Sequence, residues 1–329
     1  MAEHQVWRSL HVHRYGAQDG FLVDGLAPVV AALRAADEVS GMFFLRYWQG
    51  GHHIRCRLRL AESGAEQVLG EVTAKLAGYL AEFPSGQDFD VDAFRAAQPT
   101  MAALEDQQAD EIHPADTIRP ADYLPEFTKY GGDLGVAIAE DFFDRSSEIA
   151  FRTLREIDGN DSRRLGRAFS TMLHGLCGTG VSTAVMAEFF AHYCVLWSPY
   201  VFDEFLATWP RLLDKRRDAL VRHAEALLTN APNLADDPFH TAVRAAWHAV
   251  TAAADQVLPA ISLGGQHTSS WQRRQILLVS YLHTHNNRLG LIPGQEALLG
   301  YFGHHVLSAL AGTPPRPDLL ETLRRHRTQ

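Results

Sequence analysis

The sequence is poor in cysteine, and it lacks the motifs that usually mark a metal, nucleotide or hydrolase site. Its three cysteines, Cys56, Cys177 and Cys194, are odd in number and widely spaced, with no CxxC pair. Neither a disulfide framework nor a zinc ribbon is therefore predicted. No GxGxxG or GxSxG follows a predicted strand, and GGDLG at 131–135 is not a phosphate-binding loop. Nucleotide-binding and α/β-hydrolase sites thus have no motif here.

The chain also lacks long apolar runs and an excess of positive charge. No run approaches the roughly 20 apolar residues that a membrane-spanning helix needs, and the N-terminal MAEHQVWRS contains no signal-peptide core. The formal net charge of −9 argues against a nucleic-acid-binding surface over the whole chain, although it is compatible with local basic clefts. We therefore predict a cytoplasmic protein with no direct nucleic-acid or membrane partner.

What the sequence does contain is an arginine-rich hairpin, MFFLRYWQGGHHIRCRLRL at 42–60. Its predicted strands, Phe43–Trp48 and His53–Leu60, are joined by a turn whose glycines tolerate positive φ. Alternate side chains of a strand point to the same face, so one face of the second strand carries Arg55, Arg57 and Arg59. Guanidinium groups bind carboxylate or phosphate through paired donors, which favours an anion site. A solvated face with intramolecular Asp or Glu partners is the alternative.

The order of the predicted elements indicates an α+β fold. A strand at Trp7–Tyr15 and a helix at Phe21–Ala36 precede the hairpin, and a helix at Ala65–Phe83 follows it. This order is typical of helices that cover one face of a sheet. We predict an antiparallel sheet with the arginine-bearing hairpin, packed against a large helical portion.

The remainder of the chain is predicted to be mostly helical. Pro84–Ile118 is acidic and loop-like, with a short strand near Ala93–Met101, and Asp122–Gly132 is a loop because Pro125 and two glycines interrupt it. Helices are assigned to 134–157, most of 162–228, 239–258, 269–289 and 294–310, with loops at 230–238 and 263–265. One elaborated domain, sheet-rich over 1–130 and helix-rich over 131–312, is predicted to precede a frayed polar tail at 313–329.

Polar side chains crowd the end of one predicted helix, YLHTHNNR at 281–288. His283 and Asn287 lie four residues apart and share a face with Ser280. This crowding favours a functional role, and an imidazole transfers protons near neutral pH. Zinc is the weaker alternative, because HxH on a helix does not place both rings on one face and no HExxH is present. It would use His52, His53, His283 and His285.

Taken together and in order, these motifs resemble one known family. WRSLHVHRY at 7–15, FFLRYWQGGHHIRCRLRL at 43–60, YLPEFTKYGG at 123–132, SS at 146–147 and SYLHTHNNRLGL at 280–291 are similar to the C-terminal elimination domain of class I lantibiotic dehydratases. The resemblance is closer still to its stand-alone form, the thiopeptide-type bacteriocin biosynthesis domain. It extends from Trp7 to about Leu310.

The resemblance implies an activity and a set of site residues. In the family, a partner enzyme uses glutamyl-tRNA to esterify Ser or Thr of a precursor peptide, and the elimination domain then expels glutamate to leave dehydroalanine or dehydrobutyrine. Carried over, the catalytic residues are Arg55, Arg57, Glu126, Lys129 and His283. Asn287 and Arg288 complete the helix motif and are assigned to substrate binding. The family often has arginine where this chain has Lys129, and lantibiotic members often have arginine where it has Pro125.

Two other functions remain open at this stage. Pyridine synthases of thiopeptide pathways share the fold and join two dehydroalanines in a formal [4+2] cycloaddition, with loss of water and the leader peptide. Ser280, Tyr281 and His283 are suited to that reaction, and Ser280 and Tyr281 are included among the substrate-binding residues. A non-catalytic subunit that binds the leader peptide by strand addition is a third hypothesis.

The expected partners follow from the same resemblance. We expect a precursor peptide with its leader as substrate and a separate glutamyl-tRNA-dependent glutamylating subunit as partner for elimination. No cofactor motif is visible, and neither leading mechanism requires a cofactor. The sequence leaves open whether the protein is a homodimer.

Overall fold

The computed structural model describes residues 3–16, 18–86, 89–105, 107–229, 236–262 and 268–327. It divides into two units by contacts within the chain. The first comprises residues 1–125 and 146–159, and the second comprises residues 126–145 and 160–329. Among the described ranges, the strands lie in the first unit and the second is helical, so the α+β prediction is confirmed.

The first unit is built on a four-stranded antiparallel sheet in the order β2-β3-β1-β4. Its strands are β1 (Gln5–His13), β2 (Gly41–Tyr47), β3 (His53–Ala61) and β4 (Thr117–Ala121). The predicted arginine hairpin is β2 and β3, and its turn contains Gly50 at φ 72° and Gly51 at φ 100°. A Cβ on Gly51 would lie 2.1 Å from the hydroxyl oxygen of Tyr15, so the turn requires glycine there.

One face of this sheet is the apolar core of the unit. Strand side chains with at most 1% exposure include Leu10, Val12, Ile54, Cys56 and Leu58. Helix α1 (Ala27–Ala35) continues a turn at Gln18–Gly20 and a π-helix at Phe21–Leu26. Helix α2 (Ala65–Glu82) packs on β1, β3 and β4, because its buried residues recur every three or four positions. Each fully buried aliphatic side chain contributes about 1.5–3 kcal/mol.

The edge strand β2 is covered by the end of a long helix. Helix α4 (Gly132–Ile157) enters the first unit at Ser146. There the backbone N–H of Phe44 donates to Oγ of the buried Ser147, at 3.3 Å, and the rings of Phe44 and Phe151 stack with centroids 5.0 Å apart. Ser147 thus pairs with a backbone donor on a strand edge that would otherwise be open to pairing.

The short strand predicted near Ala93–Met101 is wrong. That segment belongs to helix α3 (Val91–Leu104). The side chain of Asp90 caps the helix by accepting from the backbone N–H of Ala93, at 2.9 Å. The buried residues Phe94, Gln98 and Ala102 recur every four positions, which is a helical period.

The second unit contains the rest of the helices. Beyond the first part of α4 they are α5 (Asp161–Cys177), α6 (Thr183–Trp197), α7 (Trp209–Thr229), α8 (Pro238–Ala252), α9 (Ala254–Ala260), α10 (Ser270–Leu289), α11 (Pro293–Ala311) and α12 (Leu319–Arg327). Short turns lie at Glu62–Gly64 in the first unit and at Phe127–Tyr130, Ser198–Tyr200 and Asp203–Leu206 in the second. Helices α6 and α11 approach closely, since a Cβ on Gly303 would lie 2.5 Å from the ring of Phe190.

Two further predictions need correction. The helix expected over 239–258 is interrupted at Ala253, whose φ of −110° and ψ of 27° are not helical. The tail expected to be frayed contains α12, whose Leu319 and Leu323 are at most 1% exposed. These leucines lie four residues apart and bury one face of the helix. The predicted loop at 263–265 and most of the linker at 230–238 lie outside the described residues.

Candidate functional site

The three arginines of β3 share the sheet face opposite the apolar core. Each is partly exposed, whereas the alternating residues between them are buried. In the register of β1 and β3, these arginines lie opposite His11, Ser9 and Trp7. The strand alternation predicted from the sequence is therefore present in the structure.

Aromatic rings lie against all three guanidinium groups, with that of Arg59 5.5 Å from the ring centroid of Trp7. The guanidinium carbon of Arg55 lies 3.4 Å from the ring centroid of Tyr47. That of Arg57 lies 4.6 Å from the ring of Tyr123 and 5.1 Å from that of Phe43. Such cation–π contacts contribute about 0.5–2 kcal/mol each and restrict the side chain. The arginine planes are thus oriented before any ligand binds.

Histidines form a stacked cluster beside Arg55, which the sequence analysis did not identify. The ring of His53 lies 4.7 Å from that of His11 and 4.8 Å from that of His13. Nδ1 of His53 lies 2.8 Å from the carbonyl oxygen of Gly51, and Nε of Arg55 donates to Nε2 of His53 at 3.2 Å. The neutral tautomer with the proton on Nδ1 satisfies both contacts.

These imidazoles are uncharged at neutral pH. Burial, followed by the charge of Arg55, lowers the pKa of His11 to about 3. Burial lowers the pKa of His53 to about 3 and that of His13 to about 4. The positive charge on this face therefore comes from its arginines and not from its histidines.

The second predicted site lies on helix α10, whose ends agree with the sequence analysis. Ser269 and Gln272 form a capping box at the start, and Gly290 ends the helix in the left-handed region at φ 85°. Ser280, His283 and Asn287 share one face by spacing. On the other side Tyr281 is buried, with its ring 4.6 Å from that of Phe142, and the buried Arg288 lies 5.0 Å from the ring of Phe143.

Burial changes what these two residues can do. The pKa of Tyr281 is raised by burial, so its hydroxyl keeps its proton. Tyr281 is 1% exposed and Arg288 is 0% exposed, so both side chains lie in the core of the helical unit. The structure therefore separates them from the partly exposed His283.

His283 belongs to a hydrogen-bonded network that sequence reasoning missed. Its Nδ1 lies 2.8 Å from Oε1 of Glu296, which has no solvent exposure, while 27% of the His283 side chain is exposed. The imidazole stacks on Trp197 at 4.2 Å. The other oxygen of Glu296 accepts from the Tyr193 hydroxyl and, at 3.1 Å, from Nδ2 of Asn286. The available signal was an acidic residue in the first turn of the following helix.

Two predicted residues of the Tyr-Gly-Gly loop, Glu126 and Lys129, form an ion pair at the surface. Nζ of Lys129 lies 3.1 Å from both carboxylate oxygens of Glu126, with side-chain exposures of 37% and 60%. Nζ also lies 5.3 Å from the ring centroid of Tyr130. Gly131 follows at φ 92°, where a Cβ would lie 2.4 Å from the carbonyl oxygen of Val257. The loop conformation therefore depends on glycine at this position.

The predicted residues fall into three groups. Arg55 and Arg57 lie together on the first unit, and Glu126 pairs with Lys129 on the second. The α10 residues form the third group, in which His283 is joined to Glu296. Within the part of the chain that the structure describes, no group of three or more His, Cys, Asp or Glu side chains could hold a metal ion. No helix in the same ranges is long and apolar enough to cross a membrane.

Comparison with known proteins gives the same family as the sequence motifs. The family model for the C-terminal part of the lantibiotic biosynthesis dehydratases matches residues 7–307. A search of curated proteins finds no match. The family match over residues 7–307 confirms the resemblance drawn from the motifs between Trp7 and about Leu310.

Several solved structures share the fold. The pyridine synthase TbtD from thiomuracin biosynthesis matches with a TM-score of 0.76 and 20% identity, covering 93% of this chain and 99% of TbtD. TsrL matches with a TM-score of 0.61 and 16% identity over 99% of this chain and 100% of TsrL. The tRNA-dependent lantibiotic dehydratase MibB from Microbispora sp. 107891 matches with a TM-score of 0.52 and 20% identity, covering 93% of this chain and 28% of MibB. The chain belongs to the family of the lantibiotic biosynthesis dehydratase C-terminal region, whose members modify ribosomally made peptides.

Proposed function

We propose that the protein eliminates glutamate from glutamylated Ser or Thr residues of a precursor peptide. The observation that carries this proposal is the placement of His283, partly exposed and joined through Nδ1 to the buried carboxylate of Glu296. An α-proton next to a carbonyl is weakly acidic, so its removal needs a positioned base. Family membership supplies the class of substrate.

The reaction breaks two bonds and forms two. His283 takes the α-proton of the esterified residue, and the bond between its β-carbon and the ester oxygen breaks. Glutamate leaves as a carboxylate, and a carbon–carbon double bond remains as dehydroalanine or dehydrobutyrine. The negative charge that develops on the carbonyl oxygen and the leaving carboxylate requires stabilisation by positive groups or hydrogen-bond donors.

Arg55 and Arg57 are suited to bind the glutamate carboxylates. Their guanidinium planes are held by Tyr47, Tyr123 and Phe43, and guanidinium groups bind carboxylates through two parallel hydrogen bonds. Glu126 acts in this proposal as a second acid–base or orienting group, and Lys129 orients glutamate as a point charge, since it lacks the guanidinium fork. Asn287 and Arg288 are assigned to substrate binding by the helix motif, and Arg288 is fully buried.

Cycloaddition is the second candidate, and the comparison with TbtD favours it. The chain spans 99% of that pyridine synthase but only 28% of MibB. In this reaction, positioning and hydrogen-bond donors matter more than an anion site. Ser280, which is 6% exposed, would serve as a donor through its hydroxyl, and His283 would serve as a hydrogen-bond partner. Tyr281 is 1% exposed, which makes it a poor direct contact for a large peptide.

The proposed setting is the cytoplasm, where a glutamyl-tRNA-dependent partner would prepare the substrate. The test uses two synthetic peptides and mass spectrometry with the purified protein. One peptide carries its leader and a glutamyl ester on Ser, and the other carries two dehydroalanines. Loss of glutamic acid from the first supports elimination, and release of the leader from the second would instead make the protein a pyridine synthase. Binding of both without turnover would identify a leader-binding subunit.

A further inference from the structure

Glu296 is a buried carboxylate with three hydrogen-bonding partners. It lies in the first turn of α11, where the positive end of the helix dipole stabilises negative charge. Its exposure is 0%. Burying a carboxylate costs free energy unless hydrogen-bond donors surround it. Each neighbour of Glu296 is therefore expected to direct a proton towards it.

Two of the three neighbours donate to Oε2 of Glu296. Burial, followed by the charge of Glu296, raises the pKa of Tyr193 well above its usual value, so the phenol stays protonated and donates. Asn286 directs its Nδ2 towards both Oε2 of Glu296 and the Tyr193 hydroxyl, at 3.1 and 3.3 Å. The amide group therefore also donates to the carboxylate.

The third neighbour is His283, and its proton position follows. Nδ1 lies 2.8 Å from Oε1, which can only accept when Glu296 is ionised. The neutral ring thus carries its proton on Nδ1, and the lone pair is on Nε2. Stacking on Trp197 with an interplanar angle of 23° fixes the plane of the ring. Because Nδ1 faces the carboxylate, Nε2 points away from it.

We propose that Glu296 is a positioning residue that keeps His283 in the Nδ1–H tautomer and makes Nε2 the atom that accepts the proton. Tyr193 and Asn286 hold the carboxylate in place. The role of this atom in elimination rests on the proposed function, but the tautomer does not. The carboxylate also stabilises the imidazolium that forms after proton transfer.

The first test reads the tautomer directly. Long-range proton–nitrogen NMR correlations of the full chain with ¹⁵N-labelled histidine would show the His283 signals with the proton on Nδ1, and His283→Gln would assign them by their absence. A proton on Nε2 at neutral pH would overturn the proposal. If the tautomer is as proposed but glutamate is not released, the proposed function fails and the positioning role of Glu296 stands.

The second test separates positioning from folding. Glu296→Gln is expected to lower kcat by about tenfold or more with little change in KM. Glu296→Asp keeps the charge and should retain more activity than Glu296→Gln. Glu321→Gln, at a side chain with 69% exposure, is the control and should match the wild type. Equal loss of kcat in the Asp and Gln variants would show a structural role only and refute the proposal.

Discussion

The guanidinium carbon of Arg55 lies 3.4 Å from the centre of the Tyr47 ring, across the β2–β3 hairpin. Both residues are on the sheet face opposite the core, so the contact fixes the arginine without burying it. A side chain held in this way loses little further freedom when it binds a carboxylate. This geometry leads to the first prediction.

Replacing the arginines should weaken substrate binding and turnover. Arg55→Ala and Arg57→Ala are each expected to lower kcat/KM for a glutamylated peptide by about 10²-fold, because charged hydrogen bonds contribute about 1.5–3 kcal/mol. Lysine at either position should recover only part of the loss, since it lacks the paired donors. Arg95→Ala, at a side chain with 61% exposure, serves as the control. Rates equal to wild type in both alanine variants would exclude the proposed carboxylate binding.

Replacing Lys129 should affect substrate binding more than the stability of the fold. Its ion pair with Glu126 is solvent-exposed, and such pairs contribute about 0–1 kcal/mol. Lys129→Ala should therefore leave the free energy of unfolding nearly unchanged while KM for the glutamylated peptide rises. Lys129→Arg should keep or improve KM. An unchanged KM in Lys129→Ala would remove this residue from the proposed site.

Acid should destabilise the fold through the histidine cluster. The unfolded chain takes up protons on His11, His13 and His53 below about pH 6.5, whereas their lowered pKa values of about 3, 4 and 3 keep them neutral in the folded state. The stability they contribute is present above pH 6.5 and is lost as the pH falls towards 4. Urea unfolding between pH 7 and 4.5 should show this slope.

Variants identify the source of that slope. His53→Gln should show a shallower decrease in the free energy of unfolding with falling pH, because it removes one of the three groups. His248→Gln, on an exposed position of α8, should keep the wild-type slope. Equal slopes in all three proteins would contradict the assignment.

Glycine substitutions should have opposite effects at two positions. Gly131→Ala requires a strained left-handed backbone and places a Cβ 2.4 Å from a carbonyl oxygen, so it should destabilise the protein by roughly 2 kcal/mol or more. Gly70 lies in the middle of α2 on its exposed side, with open space where a Cβ would be. Gly70→Ala should therefore stabilise the protein by about 0.5–1 kcal/mol. Thermal unfolding measures both. A neutral Gly131→Ala would show that the loop is not held as described.

Local patterns predicted much of this structure. Alternation placed Arg55 and Arg57 on one face, and Gly290 marked the end of α10. The segment around Phe94 is a helix and not a strand, because Asp90 caps it and its buried residues recur every four positions. In the acidic sequence around it, neither signal is distinct. Glu296 could not be predicted as the partner of His283, since their contact depends on how two helices meet after a turn. Tertiary packing, which no local pattern contains, decides such pairs.

The most direct measurement of the central claim follows glutamate release from a leader-bearing peptide whose glutamylated Ser carries deuterium on the α-carbon. Under single-turnover conditions, the wild-type protein should release glutamate, lose the deuterium, leave dehydroalanine and react more slowly than with the unlabelled peptide. His283→Ala should lower this rate by about 10²- to 10⁴-fold. No release of glutamate, or release that leaves Ser with its deuterium retained, would contradict elimination by this protein.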